Sequence, residues 1–144
     1  MTHAYGESYA AYAQPVLGEM MDYAVNDLKL DADEYFQLFA DSPWGVAFSK
    51  GAPYAVVGKS GVELAMSVLN IDLDDARYVP CSTATWEKSP EYWAGWALAY
   101  YQWWSNRTFS SIIEDWPISK ITLLYNPYHE MDIMQFVDKL EGTR

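Results

Sequence analysis

Cysteine is almost absent from this chain, since Cys81 is the only one in 144 residues. No internal disulfide can form, and a metal site built from cysteines lacks its ligands. Long apolar runs are also missing: no stretch approaches the roughly 18 apolar residues of a membrane span, and the N-terminus lacks the basic start and apolar core of an export signal. We therefore expect a cytoplasmic protein that neither enters nor crosses a membrane.

Positive charge is scarce as well. Twenty acidic residues stand against nine basic ones, which gives a formal net charge of −11 at pH 7. Such a surface repels the phosphates of nucleic acids and of anionic membranes, so direct binding to either is not expected. It favours a basic partner or an imitation of the phosphate backbone, although solubility alone also accounts for this charge.

The motifs of nucleotide and calcium binding are incomplete. Gly58 and Lys59 resemble the end of a phosphate-binding loop, but six residues separate Gly58 from Gly51 where that loop has four. The acidic residues at 72, 74 and 75 begin like a calcium-binding loop, but Ala76 stands at a ligand position and Arg77 at the glycine position. We expect neither a metal nor another cofactor.

Histidine is limited to His3 and His129, which leaves little for catalysis. His129 has Ile133 four residues on, where a zinc-binding helix of the His-Glu type carries its second histidine. A nucleophilic mechanism would need Cys81 or a serine held against a base, and the sequence leaves the pairing of Cys81 with His129 open. Because a lone loop cysteine is more often inert, the sequence predicts a protein that is not an enzyme.

Helical periodicity and capping residues predict an all-α protein. Ser60 and Glu63 form a capping box, and Ser89 with Pro90 begins an aromatic helix that Asn106 can end. We expect one domain over residues 1–144, a compact bundle of six or seven short helices around that aromatic helix, with residues 1–13 flexible or loosely docked. Helices are predicted over 15–29, 31–41, 60–70, 89–106, 108–115 and 128–140, with brief helical turns at 43–48 and 119–125; residues 76–79 and 118–124 also suit one short strand pair.

The aromatic helix carries seven large rings between Tyr92 and Trp104. It is apolar almost all round, and small residues such as Gly95 and Ala97 would let neighbouring helices approach closely. This pattern is typical of the central helix of a bundle. Two alternatives remain open, an aromatic-lined pocket for a sugar or a cation and an exposed anchor for a protein partner.

The segment EYWAGWALAYYQWW, with LGEMMDYAVNDLKLDADEYFQLF before it and GKSGVELA between them, resembles a group of short proteins from Gram-positive gut-type bacteria. The resemblance covers about residues 15–140 and is most specific in the aromatic helix. Genes of that group often lie beside toxin-like genes, including ADP-ribosyltransferase-like ones. The resemblance therefore implies an antitoxin or immunity role, and it implies no particular catalytic or binding residue.

Together these patterns predict an acidic binding protein that neutralises a protein partner by covering a basic or nucleotide-binding surface. Charges at the rim of such an interface mainly set the association rate, while a few aromatic anchors carry the affinity. The candidate contacts are Asp22, Asp27, Asp31, Asp33 and Glu34, a second patch of Asp72, Asp74 and Asp75, and the tryptophans near helix breaks, Trp44, Trp86 and Trp116.

Two other functions remain open at this point. A phage-type inhibitor that imitates DNA, such as an anti-CRISPR protein, would align its carboxylates in place of phosphates. A small-molecule binding module would instead use the aromatic helix to line a pocket of several hundred Å³. The identity of the partner and the oligomeric state are not readable from the sequence.

Overall fold

The computed structural model describes residues 2–71 and 89–142. Over these two ranges the chain forms ten α-helices and no strand, which confirms the all-α class. The helices are shorter and more numerous than the six or seven predicted. They are α1 (Glu7–Asp22), α2 (Ala32–Asp41), α3 (Pro43–Ser49), α4 (Pro53–Val56), α5 (Gly61–Val68), α6 (Pro90–Ser105), α7 (Phe109–Asp115), α8 (Ile118–Thr122), α9 (Tyr125–Tyr128) and α10 (Ile133–Glu141).

The two longest helices, α1 and α6, pack against each other at two glycines. A Cβ atom on Gly95 would lie 2.5 Å from the carbonyl oxygen of Leu17 and 3.1 Å from the Cα of Gly18. A Cβ on Gly18 would lie 2.9 Å from the carbonyl oxygen of Tyr92. Because neither glycine has a side chain, the two backbones approach more closely than any other residue pair would allow. The aromatic helix is thus paired with α1 along the fold's main helix contact.

Local capping signals place most of the helix starts correctly. The side chains of Asp31, Ser60, Ser89 and Thr108 each accept a hydrogen bond from the backbone amide three residues on. The carboxylate of Glu63 also accepts from the amide of Ser60 at 3.1 Å, which completes the capping box. These bonds satisfy amides that a helix start would otherwise leave unpaired.

The first helix begins earlier than its predicted start at residue 15. It starts at Glu7, contains Pro15, and continues beyond Asp22 as a π-helix over Tyr23–Asp27. Its early turns are packed, since Ala10 and Ala13 are buried. The sequence predicts a helix start at Pro15, but a proline within a helix is tolerated where the chain bends or packing compensates.

Residues 3–5, within the segment expected to be flexible or loosely docked, contact the end of α6. The amide of Ala4 donates to the carbonyl of Trp103 at 2.9 Å, and the indole Nε1 of Trp103 donates to the carbonyl of Tyr5 at 2.8 Å. The His3 ring stacks on Trp103 with centroids 4.1 Å apart. One ring of the aromatic helix therefore serves to hold the N-terminal segment.

The C-terminal part differs most from the prediction. The single helix predicted over 128–140 is wrong, because α9 ends at Tyr128 and α10 begins at Ile133. Asp132 explains the break, since its side chain accepts from the amide of Met134 at 2.8 Å and caps α10. Residues 118–124, proposed as half of a strand pair, contain α8, and the other half at 76–79 lies outside the described residues.

The core has two aromatic parts. Within α6, Trp93, Tyr101 and Trp103 are buried, while its four other rings are half-buried. A second cluster forms where α2, α3 and α7 meet, with ring centroids 5.3 to 5.9 Å apart and mostly tilted or edge-to-face; it consists of Phe36, Phe39, Phe48 and Phe109. The aromatic helix is therefore one of two packing centres.

Among the described helices, none has both the length and the apolar character that crossing a bilayer requires.

Candidate functional site

Three predicted contact residues come together at the start of α2. Asp31 caps the helix, and Asp33 and Glu34 lie in its first turn; all three are exposed. We call these three residues the α2 acidic cluster. Acidic side chains at this end of a helix are stabilised by the helix dipole, which explains why the sequence can concentrate them here.

Two carboxylates of the cluster are held by neutral groups. An oxygen of Asp31 accepts from the amide of Glu34 at 3.0 Å, and an oxygen of Asp33 accepts from the amide of Ser119, at the start of α8, also at 3.0 Å. Within residues 2–71 and 89–142 no lysine or arginine forms an ion pair with any of the three. The cluster thus presents three negative charges, two of them held in place, that the described part of the chain does not neutralise.

Apolar surface lies directly beside these charges. Leu38, one turn after Glu34 on the same helix face, is 47% exposed. A groove of about 180 Å³ lies on one side of α2, and another of about 280 Å³ lies where α2 meets α7 and α8. The first is lined by Leu30, Asp31, Glu34, Tyr35, Leu38 and Leu69; the second by Asp33, Phe36, Gln37, Ile113, Pro117 and Ile118. Charged rims around small apolar depressions are the chemistry of a protein-binding surface.

Asp22 and Asp27 do not belong to this cluster. Asp22 accepts hydrogen bonds from Asn26, at 2.9 Å, and from the hydroxyl of Ser89, so it ties the end of α1 to the cap of α6. Asn26 also donates to Glu91 at 3.0 Å. Both aspartates are half-buried, and one carboxylate oxygen of Asp27 is buried without a hydrogen-bond partner among the described residues.

The surroundings of Tyr92, on α6, affect the pKa of its hydroxyl. Burial and, to a smaller extent, the nearby carboxylates of Glu19 and Asp22 raise the pKa of the Tyr92 hydroxyl. Asp22 therefore lies in the contact between α1 and α6. Its position in the sequence, nine residues before Asp31, did not indicate this role.

The two predicted tryptophan anchors that the structure describes have neighbours of their own. Trp44 is half-buried, packs edge-to-face with Tyr54 at 5.9 Å, and has the ammonium of Lys59 4.9 Å from its ring centroid. Trp116 is half-buried at the end of α7. Trp86, Cys81 and the second acidic patch of Asp72, Asp74 and Asp75 lie outside the described residues.

The remaining chemical candidates are placed as follows. The ring of His129 stacks on Tyr125 with centroids 3.9 Å apart, and its Nε2 lies 3.5 Å from a carboxylate oxygen of Glu130. Over residues 2–71 and 89–142, no three metal-binding side chains gather closely enough to hold an ion. Neither α2 groove, nor a third groove between α2, α3 and α4, is lined by a ring of α6.

Sequence reasoning missed the third groove, which is lined by the exposed side chains of Val46 on α3 and Tyr54 on α4. Val57, directly after α4, is exposed as well. Helical spacing offered only a weak signal, because α4 has only four residues. In comparisons with known proteins, no family model, no curated protein and no solved structure matches this chain.

Proposed function

We propose that the protein is a non-enzymatic inhibitor, of the antitoxin or immunity type, that neutralises a protein partner through the α2 acidic cluster. The observation that carries the proposal is a group of three exposed carboxylates beside the exposed side chain of Leu38, none of which pairs with a lysine or arginine of residues 2–71 and 89–142. The partner surface is basic or binds nucleotides, because such a surface complements carboxylates in the way it complements phosphates.

Charge and apolar contact have separate tasks in this interface. The long-range field of a chain with net charge −11 attracts a basic partner and raises the association rate. After encounter, Leu38 and the two grooves beside α2 receive apolar side chains of the partner, and these contacts slow dissociation. The expected complex is therefore sensitive to salt in its formation and less so in its lifetime.

The test is affinity capture from the native host with three baits: the natural chain, a cluster variant and a matched control. The cluster variant carries Asp31→Asn, Asp33→Asn and Glu34→Gln, which remove charge but keep an oxygen that can accept the backbone hydrogen bonds. The control removes three exposed carboxylates elsewhere, through Glu7→Gln, Glu114→Gln and Asp138→Asn.

We expect the natural chain and the control to retain the same basic partner, and the cluster variant to lose it. With the purified partner, the association rate should fall by a factor of about 10 to 100 in the cluster variant at low salt. The natural chain should also inhibit the partner's own activity in proportion to the bound fraction. Equal retention by the cluster variant and the control would refute the role of α2.

The imitation of DNA makes a different prediction in the same experiment. An inhibitor that takes the place of a phosphate backbone occupies the partner's nucleic-acid site, so added duplex DNA displaces it. An antitoxin that covers a catalytic or nucleotide-binding surface is displaced by the nucleotide substrate instead. Competition with DNA and with nucleotide therefore separates the two kinds of inhibitor.

A further inference from the structure

A second surface, built by α3, α4 and the residue directly after α4, carries charges of both signs, unlike the start of α2. Three apolar side chains are exposed there: Val46 by 46%, Tyr54 by 62% and Val57 by 44%. Val46 and Tyr54 line a groove of about 480 Å³ that also has Asp41 and Lys50 on its walls. We call these five residues the α3–α4 patch. Adjacent exposed apolar side chains with charged neighbours mark an interaction surface more often than isolated ones do.

Charge around this patch is unusual for so acidic a chain. No aspartate or glutamate occurs between Ser42 and Val62, whereas Lys50 and Lys59 both lie in that stretch. The ammonium of Lys59 is held over Trp44, while Lys50 is exposed and forms no ion pair within the part of the chain that the structure describes. This is a place where another acidic molecule can approach with little repulsion.

We propose that two copies of this chain associate through the α3–α4 patch in a symmetric dimer, in which Lys50 of each copy pairs with Asp41 of the other. A two-fold interface needs a surface that complements itself, and this groove has one acid, one base and an apolar centre. Asp41 accepts from Gln37 at 3.0 Å and from Ser110 at 3.3 Å. Since a carboxylate has about four acceptor positions, it can also accept from a lysine.

The dimer leaves the α2 acidic cluster free. The cluster lies at the start of α2, whereas Asp41 is the last residue of that helix, about 10–15 Å along its axis. Three exposed apolar side chains form a smaller contact than a standard interface of about 1,600 Å², so we expect a dissociation constant on the order of tens of micromolar.

The test measures molecular mass by light scattering or sedimentation between about 1 and about 300 µM protein at physiological salt, a range chosen for weak interfaces. The natural chain should rise from monomer towards dimer mass over this range. Tyr54→Glu, Lys50→Asp and Asp41→Lys should each remain monomeric throughout. The control Leu123→Glu, at a leucine 81% exposed on a different surface, should dimerise like the natural chain.

The double variant Asp41→Lys with Lys50→Asp distinguishes a specific pair from general damage, because it exchanges the two charges and should restore the dimer. A natural chain that stays monomeric to the highest concentration leaves the patch to another kind of partner and overturns the proposal. Dimerisation that survives Tyr54→Glu, or that the double variant fails to restore, overturns it as well. The cluster variant should dimerise normally and the patch variants should still retain the basic partner, so either proposal can fail without the other.

Discussion

At the level of single residues, Gly95 determines how closely α1 and α6 can pack. Glycine is a poor helix former, and replacing it with alanine in an exposed helix gains about 0.5–1 kcal/mol. At Gly95 this gain is outweighed, because the added Cβ would lie 2.5 Å from the backbone oxygen of Leu17. The obstacle is backbone rather than a flexible side chain, so relief requires the two helices to move apart.

We therefore expect Gly95→Ala to lower the free energy of unfolding by about 1–3 kcal/mol in urea denaturation. Gly6→Ala is the control, since a Cβ at Gly6 meets nothing within 4 Å. Its cost should stay below about 1 kcal/mol, the size of a change at a helix start. If the two variants are equally stable, the close packing at Gly95 is not the constraint that its geometry indicates.

Glu63 makes the stability of α5 depend on pH. The hydrogen bonds from the amide and hydroxyl of Ser60 hold the pKa of Glu63 below its ordinary value of 4.5. Because this pKa is lowered on folding, the ionised carboxylate stabilises the folded state above about pH 4.5, and that contribution disappears as the pH falls through the folded-state pKa.

Two variants test the capping box. Ser60→Ala should lower the free energy of unfolding by about 0.5–2 kcal/mol at pH 7, since it removes the bond to the Glu63 amide. Glu63→Gln should cost less at pH 7 and should lose less stability than the natural chain between about pH 5 and pH 3. If the free energies of unfolding of Glu63→Gln and of the natural chain fall equally across that pH range, the stabilising role of the ionised Glu63 is contradicted.

At the level of elements, Arg107 joins α6 to α7. Its guanidinium is largely buried and donates to the carbonyl of Ser111 at 2.8 Å, to Asp115 at 2.9 Å and to the hydroxyl of Tyr101 at 3.4 Å. Tyr101 in turn donates to Glu141 at the end of α10. Burial, together with the bond to Glu141, raises the pKa of Tyr101. The network thus connects three helices through one planar cation.

Removing this cation should loosen the connection between those helices. We expect Arg107→Ala to lower the free energy of unfolding by about 1–3 kcal/mol, because the carbonyl of Ser111 and the hydroxyl of Tyr101 lose a donor. Arg107→Lys should recover only part of the loss, since an ammonium cannot reproduce the guanidinium fork. The exposed Lys139→Ala is the control and should change stability by less than about 0.5 kcal/mol.

Helix starts were predictable where a cap lies within four residues of the amide that it serves and no apolar pattern continues through it. Ser60, Ser89 and Thr108 are such cases. The end of α6 was predictable as well, since Asn106 ends it in the left-handed conformation with φ of 58°. The start of α10 was missed because its apolar periodicity runs through Asp132. The apolar pattern predicted one continuous helix there, but the cap formed by Asp132 begins a new one.

For the whole molecule, the distribution of charge matters more than its total. The net charge of −11 indicated a basic partner but no location for it. Tertiary packing turns Asp22 inward to Ser89 and leaves the α2 cluster outside. It also exposes the α3–α4 patch, in which Lys50 and Asp41 lie beside apolar side chains. The two proposed surfaces therefore differ in charge, and each fits a different kind of partner.

The sequence by itself determined the all-α class, the helix caps and the local concentration of acid on α2, because these depend on residues within about one helical turn of each other. Only the tertiary structure decided that Gly95 meets Leu17, that Asp22 binds Ser89, and which rings of α6 are buried. Those contacts join residues 67 or more positions apart, as the Asp22–Ser89 bond does. Their energies come from packing that no local pattern contains.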